Sequence, residues 1–402
     1  MEHDVIIAGG GLAGTSLALA LSQNGLSTLL VDPAAPETLA ANDFDGRSYA
    51  LSLGSCNLLK MLGLWRDLAP DAQPILDIRI SDGRLGEGPS PLTLHFDHTE
   101  IEEGPMGHMV EDRHLRPALI AAGTGIDRVQ ATVVSERPDA GGITVTLSDG
   151  TTQRARLLVG CDGKRSAIAR RAGIRRTGWE YGQSALVAAI AHEHPNNGVA
   201  HQFFMPEGPL AILPLKGNRS SIVWSERRDR AEALTRLDDE AYLALLRPRF
   251  GDFLGEISLA GKRFTYPLSL SIANRFYADR VALVGDAAHA MHPIAGQGLN
   301  AGLKDVATLA EVLIHAARRG EEIGSTDVLA RYHQWRSFDV AALALATDSF
   351  NKLFSNDNPL LRAARTAGLG LVSKMAGLRR GFIREAAGLT GDRPLLLQGR
   401  PL

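Results

Sequence analysis

The sequence predicts an α/β fold in which a parallel-sheet domain is interrupted by a mixed or antiparallel β-sheet domain and followed by C-terminal helices. Three observations predict it. Residues 4–32 read as strand, glycine turn, helix, strand. Residues 280–305 repeat the theme as strand, Gly-Asp turn, loop and helix. Between them, 71–105 and 177–277 carry short alternating apolar runs broken by Gly, Pro and Asn, the texture of half-buried antiparallel strands. The first domain is therefore discontinuous: 1–70, 106–176 and 278–345 belong to it, 71–105 and 177–277 to the inserted sheet, and 346–402 to a helical end.

Composition sets outer limits. At 402 residues the chain exceeds one ordinary core. With 45% apolar and 22% charged residues it is globular rather than disordered. A net charge of −2 gives no electrostatic case for a nucleic-acid partner. Cys56 and Cys161 show no metal-ligand spacing, so no metal site is expected and free thiols in a reducing compartment are. No run of ~18 apolar residues is present, so no transmembrane helix is predicted. Glu2, Asp4 and three nearby glycines distinguish the apolar start from a signal peptide, and the chain reads as cytoplasmic.

In order, 4–8 is an apolar strand. Gly9, Gly11 and Gly14 form Gly-x-Gly-x-x-Gly, and Leu12 and Ala13 open a helical run to 23. A second strand at 28–31 ends on Asp32. Strand, glycines, helix, strand and acid in this order are a dinucleotide fingerprint, which makes the domain Rossmann-like. The first glycine makes the turn, the second admits a pyrophosphate, and the third lets helix and strand pack. Asp32, about twenty residues on, can accept hydrogen bonds from a ribose. The competing reading is a glycine turn in an unrelated α/β protein, and the motif alone does not separate FAD from NAD.

Arg47 follows in DGRSYALS. A fixed guanidinium can pair with phosphate or reduced flavin; a surface arginine is the alternative. A short helix at 55–64, alternation over 75–81 and 92–96, and a strand at 106–110 come next. Arg113 opens a helix to 122 and has Glu111 and Asp112 as competing local partners. Residues 129–134 and 143–147 predict a hairpin turning at 139–142. The strand 157–159 ends in Gly-Cys-Asp-Gly, with Asp162 also a candidate helix N-cap. Cys161 reads as a buried small residue, since no His–Asp arrangement accompanies it. In the inserted sheet, runs at 185–191, 201–204, 210–215 and 220–224 are joined by one helix at 238–247. His201, Phe203, Leu213 and Tyr266 are candidates to face a pocket, with plain sheet core as the other reading of each. A long helix at 327–352 precedes a region starting at Asn358-Pro359 and reaching 387. Its basic and apolar residues interleave, which suits either an anionic membrane or packing with a solvated basic face.

The richest stretch is RVALVGDAAHAMHPIAGQGLNAGLKD, 280–305. A short apolar run stops at Gly285-Asp286, and Leu299, Leu303, Val306, Ala310 and Leu313 share one helical face. Gly296 and Gly298 bare the backbone where that helix begins, and free N–H groups there attract negative charge. Asp286 ends a strand in the crevice where open α/β sheets bind ligands.

GDAAHAMHPIAGQGLNAGLKD resembles the second flavin motif of the class A flavin monooxygenases, which have the p-hydroxybenzoate hydroxylase fold. HPIAGQGLN most resembles the hydroxylases of ubiquinone biosynthesis. Ala301 and Lys304 depart mildly from the common Leu and Arg. The resemblance implies FAD as the bound cofactor, with Asp286 on the ribityl chain and Pro293 lining the ring. It sets the backbone of Gly298, Leu299 and Asn300 at the pyrimidine edge. It further implies Arg47 beside the flavin, Arg113 at the phosphates or ribityl chain, and Asp162 near the pyrophosphate. The inserted sheet then roofs the flavin as the substrate domain. In that family reduced flavin and O2 form a hydroperoxide that hydroxylates an electron-rich ring, so no residue is assigned as acid or base. The implied substrate is hydrophobic, a polyprenylated phenol or quinone precursor. NAD(P)H or a partner reductase supplies electrons, and a membrane surface and other ubiquinone-biosynthesis proteins are the expected partners. The rivals are a same-fold hydroxylase of a soluble aromatic and a non-catalytic FAD-containing subunit.

Overall fold

The computed structural model describes residues 3–39, 44–84, 88–89, 93–205, 207–292, 296–354 and 375–402. His3–Ala8 is the centre of a parallel sheet, flanked by Thr28–Asp32 and Thr152–Gly160. Asp127–Gln130 extends it on one side and Val281–Leu283 on the other, both parallel. The runs 5–8, 28–31, 157–160 and 281–283 are mainly apolar and buried, as strands covered on both faces must be, whereas the edge strand Asp127–Gln130 is partly exposed. Their register aligns Ala8 with Val31 and Gly160, and Gly160 with Leu283. Their carboxyl ends therefore form one edge.

The predicted hairpin needs correcting. Asp127–Gln130 is a separate parallel strand, and Val133–Asp139 pairs with Gly142–Leu147. Ala131 N–H bonds back to the Asp32 carbonyl, which ends the first strand before the second begins.

The helix Leu12–Ser22 is buried from Gly14 to Leu21 and packs beside Gln297–Arg318. A Cβ on Gly302 would lie 3.3 Å from the Gly285 Cα, so these segments approach as closely as glycine allows. Thr326–Phe354 closes the layer, and its buried Tyr332 hydroxyl donates to the Leu283 carbonyl at 2.9 Å.

The inserted sheet is built on the 17-residue strand Arg176–His192, with Phe264–Ala273 on one side and Arg219–Arg227, Leu210–Leu215 and Val199–Phe204 on the other. It is mixed, because Val199–Phe204 pairs parallel with Asp77–Arg84 while its other main ladders are antiparallel. Arg228–Thr235, a helix the sequence pattern did not indicate, and Asp239–Phe250 cover its back. A small sheet of Ser48–Ser52, Gly107–Glu111 and Gln73–Ile75 bridges the two domains. At the C-terminal end, Ala376–Ala386 is helical, with Ile383 buried beside Phe96 and Met106. The Asn358-Pro359 start lies outside the described residues.

Candidate functional site

Three segments distant in sequence meet at the strand-end edge. Gly9 has φ +110, and a Cβ on it would lie 2.3 Å from the Cys161 carbonyl oxygen. A Cβ on Gly14 would lie 1.9 Å from the Gly9 carbonyl oxygen. These two glycines are demanded by the protein itself. A Cβ on Gly285 would reach Ala13 at 3.7 Å, which brings the third segment against the first.

Gly11 and Gly298 differ from these. Nothing lies within 4 Å of a Cβ at either position. Gly11 caps Leu12–Ser22 in an extended conformation, and no side chain accepts from the first turn. Gln297–Arg318 likewise starts from a glycine with no side-chain cap, Gly296, here with a left-handed φ of +64, and a Cβ on it would lie 2.9 Å from the Ala50 Cβ. Neither helix has an acid in its first turn. Two helix N-termini with open backbone at Gly11 and Gly298 therefore turn first-turn N–H groups outward, the arrangement that binds phosphate and developing anions. Leu12, Ala13 and Leu299 sit partly buried in these first turns, packed on the main core.

The acids are placed to complement them. Asp32 accepts from the Gly10 N–H at 2.6 Å and the Ala34 N–H at 2.8 Å, one on each oxygen. This fixes the carboxylate and leaves lone pairs for a ribose diol. Asp162 caps the helix Ala167–Arg171, with Oδ2 accepting from the Ala167 and Ile168 N–H groups. Its Oδ1 is buried with no hydrogen-bond partner among the described residues, which leaves it able to accept from a ligand. Asp286 is open to solvent on one side yet surrounded by protein on the others. Burial pushes its carboxyl pKa up and Asp305 adds to this, while His289, Lys164 and Arg176 oppose it. The turn carrying it is braced by Arg176, which donates to the Asp286 carbonyl at 3.1 Å and also to that of Ala287.

The arginines are less free than the resemblance implied. Arg47 is held by Asp45 at 2.8 Å and Asp112 at 3.3 Å and leans over the Phe264 ring. Arg113 donates to Glu111 at 2.7 Å and stacks on Phe44. Arg219 takes the other Glu111 oxygen at 2.9 Å and stacks on the same ring. Arg113 is thus engaged in a strut between the two domains.

The Asn300 side chain is spent on the protein: Oδ1 accepts from the Ser52 N–H and Ser55 hydroxyl, and Nδ2 donates to the Ala50 and Gly296 carbonyls. It staples the helix start to the Ser48–Ser52 strand, so only the backbone here, as the resemblance has it, is placed to meet a cofactor. Two expectations need correction. His201 and Phe203 lie on the back of the inserted sheet. Phe203 shares a cross-strand row with Leu210, Trp224 and Leu186 under the helices, and the His201 ring lies 4.5 Å from that of Phe253. Leu213 and Tyr266 lie on the front, and Pro293 is outside the described residues. The front looks toward the Arg47 loop, since a Cβ on Gly46 would be 3.6 Å from the Ala189 Cβ.

Some residues were missed altogether. Val187, Val223 and Ala211 form a row on the front, beside Leu213. Asp305, Arg336 and His289 form a buried charge network behind the Asp286 turn.

The donor set fits FAD: two open helix starts for phosphates and the flavin rim, Asp32 for the ribose, Asp162 with a free buried oxygen, and Asp286 at the edge. The comparisons agree. The FAD binding domain family matches residues 2–346. The ubiquinone hydroxylase UbiL of Rhodospirillum rubrum is 46% identical over 99% of this chain and 93% of its own. The 3-demethoxyubiquinol 3-hydroxylase of Escherichia coli is 34% identical over 96% and 98%. The crystal structure of p-nitrophenol 4-monooxygenase PnpA from Pseudomonas putida shares the fold, with a TM-score of 0.79 at 20% identity, covering 98% of this chain and 99% of that one. The chain belongs to the FAD binding domain family, within the superfamily of FAD-dependent aromatic-ring hydroxylases.

Proposed function

We propose that this protein is an FAD-dependent monooxygenase that hydroxylates the ring of a polyprenylated phenol or quinone precursor of ubiquinone. The observation carrying the reading is the 46% identity, over 99% of the chain, to a ubiquinone hydroxylase. The front of the inserted sheet supports it: Val187, Val223, Ala211 and Leu213 offer an uncharged apolar surface suited to a ring with a hydrophobic tail.

Bound FAD supplies the oxygen activation, placing one atom of O2 on the ring and releasing the other as water, with two electrons from NAD(P)H or a partner reductase. The protein supplies position and field. Asp32 and the Gly11 helix start hold the adenosine and pyrophosphate. The Gly298 helix start offers N–H groups to the side of the flavin that gains negative charge.

A peripheral membrane location belongs to the same proposal. Met375, Leu378 and Phe382 are exposed on or beside the Ala376–Ala386 helix, next to exposed Arg380. Arg379 and Arg384 are instead tied to Glu100 and Glu103. No helix among the described residues is long and apolar enough to cross a membrane.

The test is expression in strains blocked at each ring hydroxylation of ubiquinone synthesis, followed by analysis of accumulated quinones. Restoration at one or more steps is expected. Failure at every step, with efficient hydroxylation of small soluble phenols by the purified holoprotein, would overturn the substrate reading in favour of the soluble-aromatic alternative. Bound flavin that no ring ever reoxidises productively would favour a non-catalytic subunit.

A further inference from the structure

We propose that Asp305, clamped between Arg336 and His289, is a positioning residue that sets the Gly285–Asp286 turn for FAD, and that Arg336 supplies the charge that keeps Asp305 from opposing the cofactor. All three side chains are almost wholly buried. Asp305 Oδ2 accepts from the Gly285 N–H at 2.9 Å and lies 2.6 Å from His289 Nε2. Its Oδ1 accepts from Arg336 Nε at 2.7 Å. Arg336 also donates to Asp339 at 2.9 Å, and Asp339 in turn pairs with Lys304.

One carboxylate thereby joins four pieces of chain. These are the turn that carries Asp286, the strand His289–Ala290 that pairs onto the inserted sheet, the helix whose first turn bears Gly298, and the following helix Thr326–Phe354. Among the described residues Gly285 supplies the one backbone hydrogen bond to the carboxylate, and it is the residue just before Asp286. Gly285 has φ +62 and packs against Gly302, where a Cβ would lie 3.3 Å from the Gly285 Cα, and the carboxylate bond anchors its N–H. The geometry therefore transmits the position of a helix to the position of the cofactor acid.

The charges carry a second consequence. Removing one member of a buried pair leaves the other uncompensated. The negative charge of Asp305 is felt at Asp286, whose carboxyl it pushes up. FAD carries phosphates and gains negative charge on reduction. Loss of Arg336 leaves an excess negative charge near the flavin, and loss of Asp305 leaves an excess positive one.

The experiment measures FAD dissociation and flavin midpoint potential in the holoprotein. Asp305→Asn and Arg336→Gln are each expected to weaken FAD at least tenfold. Asp305→Asn should raise the potential and Arg336→Gln should lower it. The double variant should return the potential toward that of the parent. Arg336→Lys keeps the charge and guards against a variant that does not fold; it should leave the potential close to the parent value. Opposite shifts are something a purely structural brace would not produce. Shifts of the same sign in the two single variants, or FAD affinity and potential unchanged in both, would overturn the proposal. So would an Arg336→Lys potential as low as that of Arg336→Gln.

Discussion

Replacing Gly298 by valine separates the needs of the folded chain from those of the cofactor. No atom lies within 4 Å of a Cβ at this position, so the protein itself has room for the side chain. Valine is also a better helix former than glycine by a few tenths of a kcal/mol. The apoprotein should therefore melt at the parent temperature or slightly above it. A bound flavin rim in hydrogen-bonding reach of this helix start, however, would meet the two added methyl groups. Losing one bond to the side that gains charge costs about 1.5–3 kcal/mol, which is roughly a 10- to 100-fold rise in FAD dissociation constant. Flavin fluorescence quenching on titration into apoprotein reads this directly, with thermal melting of the same sample as the folding control. Gly14→Val provides the contrast, because its Cβ would lie 1.9 Å from a carbonyl oxygen and should prevent folding outright. An apo Gly298→Val protein that binds FAD within twofold of the parent, with the same visible spectrum, would refute the placement of the flavin rim.

Other outcomes follow from the same geometry. Asp32→Ala should weaken FAD about tenfold or more through the lost charge-assisted bonds while leaving FMN affinity alone, since FMN has no adenosine; equal losses for both flavins would remove Asp32 from the ribose. Asn300→Ala strands the buried Ser52 N–H and Ala50 carbonyl, so denaturant melts should show about 2–4 kcal/mol of destabilisation, equal with and without FAD; a loss seen only with FAD would mean a direct cofactor contact. Burial lowers the His292 pKa to about 4, and neither ring nitrogen has a hydrogen-bond partner among the described residues, so the folded state holds it neutral. The unfolded chain then binds more protons below its ordinary pKa of about 6.5, and stability falls as pH drops through 6.5 toward 4, by about 2 kcal/mol between pH 7 and pH 5. His292→Leu should flatten that part of the melting profile, and an unchanged slope would assign the acid sensitivity elsewhere.

The parts of the site legible in the sequence are those whose chemistry sits in consecutive residues. Gly9, Gly11 and Gly14 announce themselves because a tight strand-to-helix turn needs bare backbone at fixed spacing. Gly285-Asp286 and Gly296-x-Gly298 do so for the same reason. What spacing does not say is which glycine serves the protein and which serves the ligand. The structure assigns Gly14 to packing and leaves Gly11 and Gly298 open. Asn300 shows the converse limit. Its place in the motif pointed only to its backbone, and nothing local announced that its amide binds Ala50 and Ser52. The pairing of Asp305 with Arg336 joins two helices across 31 residues, and no local pattern marks it.

The faces of the inserted sheet were illegible for a different reason. Strand parity sorts residues into two sets but does not say which set faces the cofactor domain. In ALVAAIA, 185–191, both sets are apolar, so not even the solvent side is marked. The deciding information is non-local: Arg228–Thr235 and Asp239–Phe250 fold back over one side and claim Leu186, Ala188 and Ile190 together with Phe203. Adjacent Phe203 and Phe204 consequently end in different clusters, one under these helices and one toward the dinucleotide domain. Of the four pocket candidates, His201 and Phe203 pack under these helices while Leu213 and Tyr266 lie on the front, a division that strand parity alone does not make. The front row of Val187, Val223 and Ala211 is made of small residues, which leave room for a ring to lie against the sheet. A binding surface of this kind is better sought where side chains are small and the neighbouring backbone is bare, as it is at Gly46 opposite Ala189.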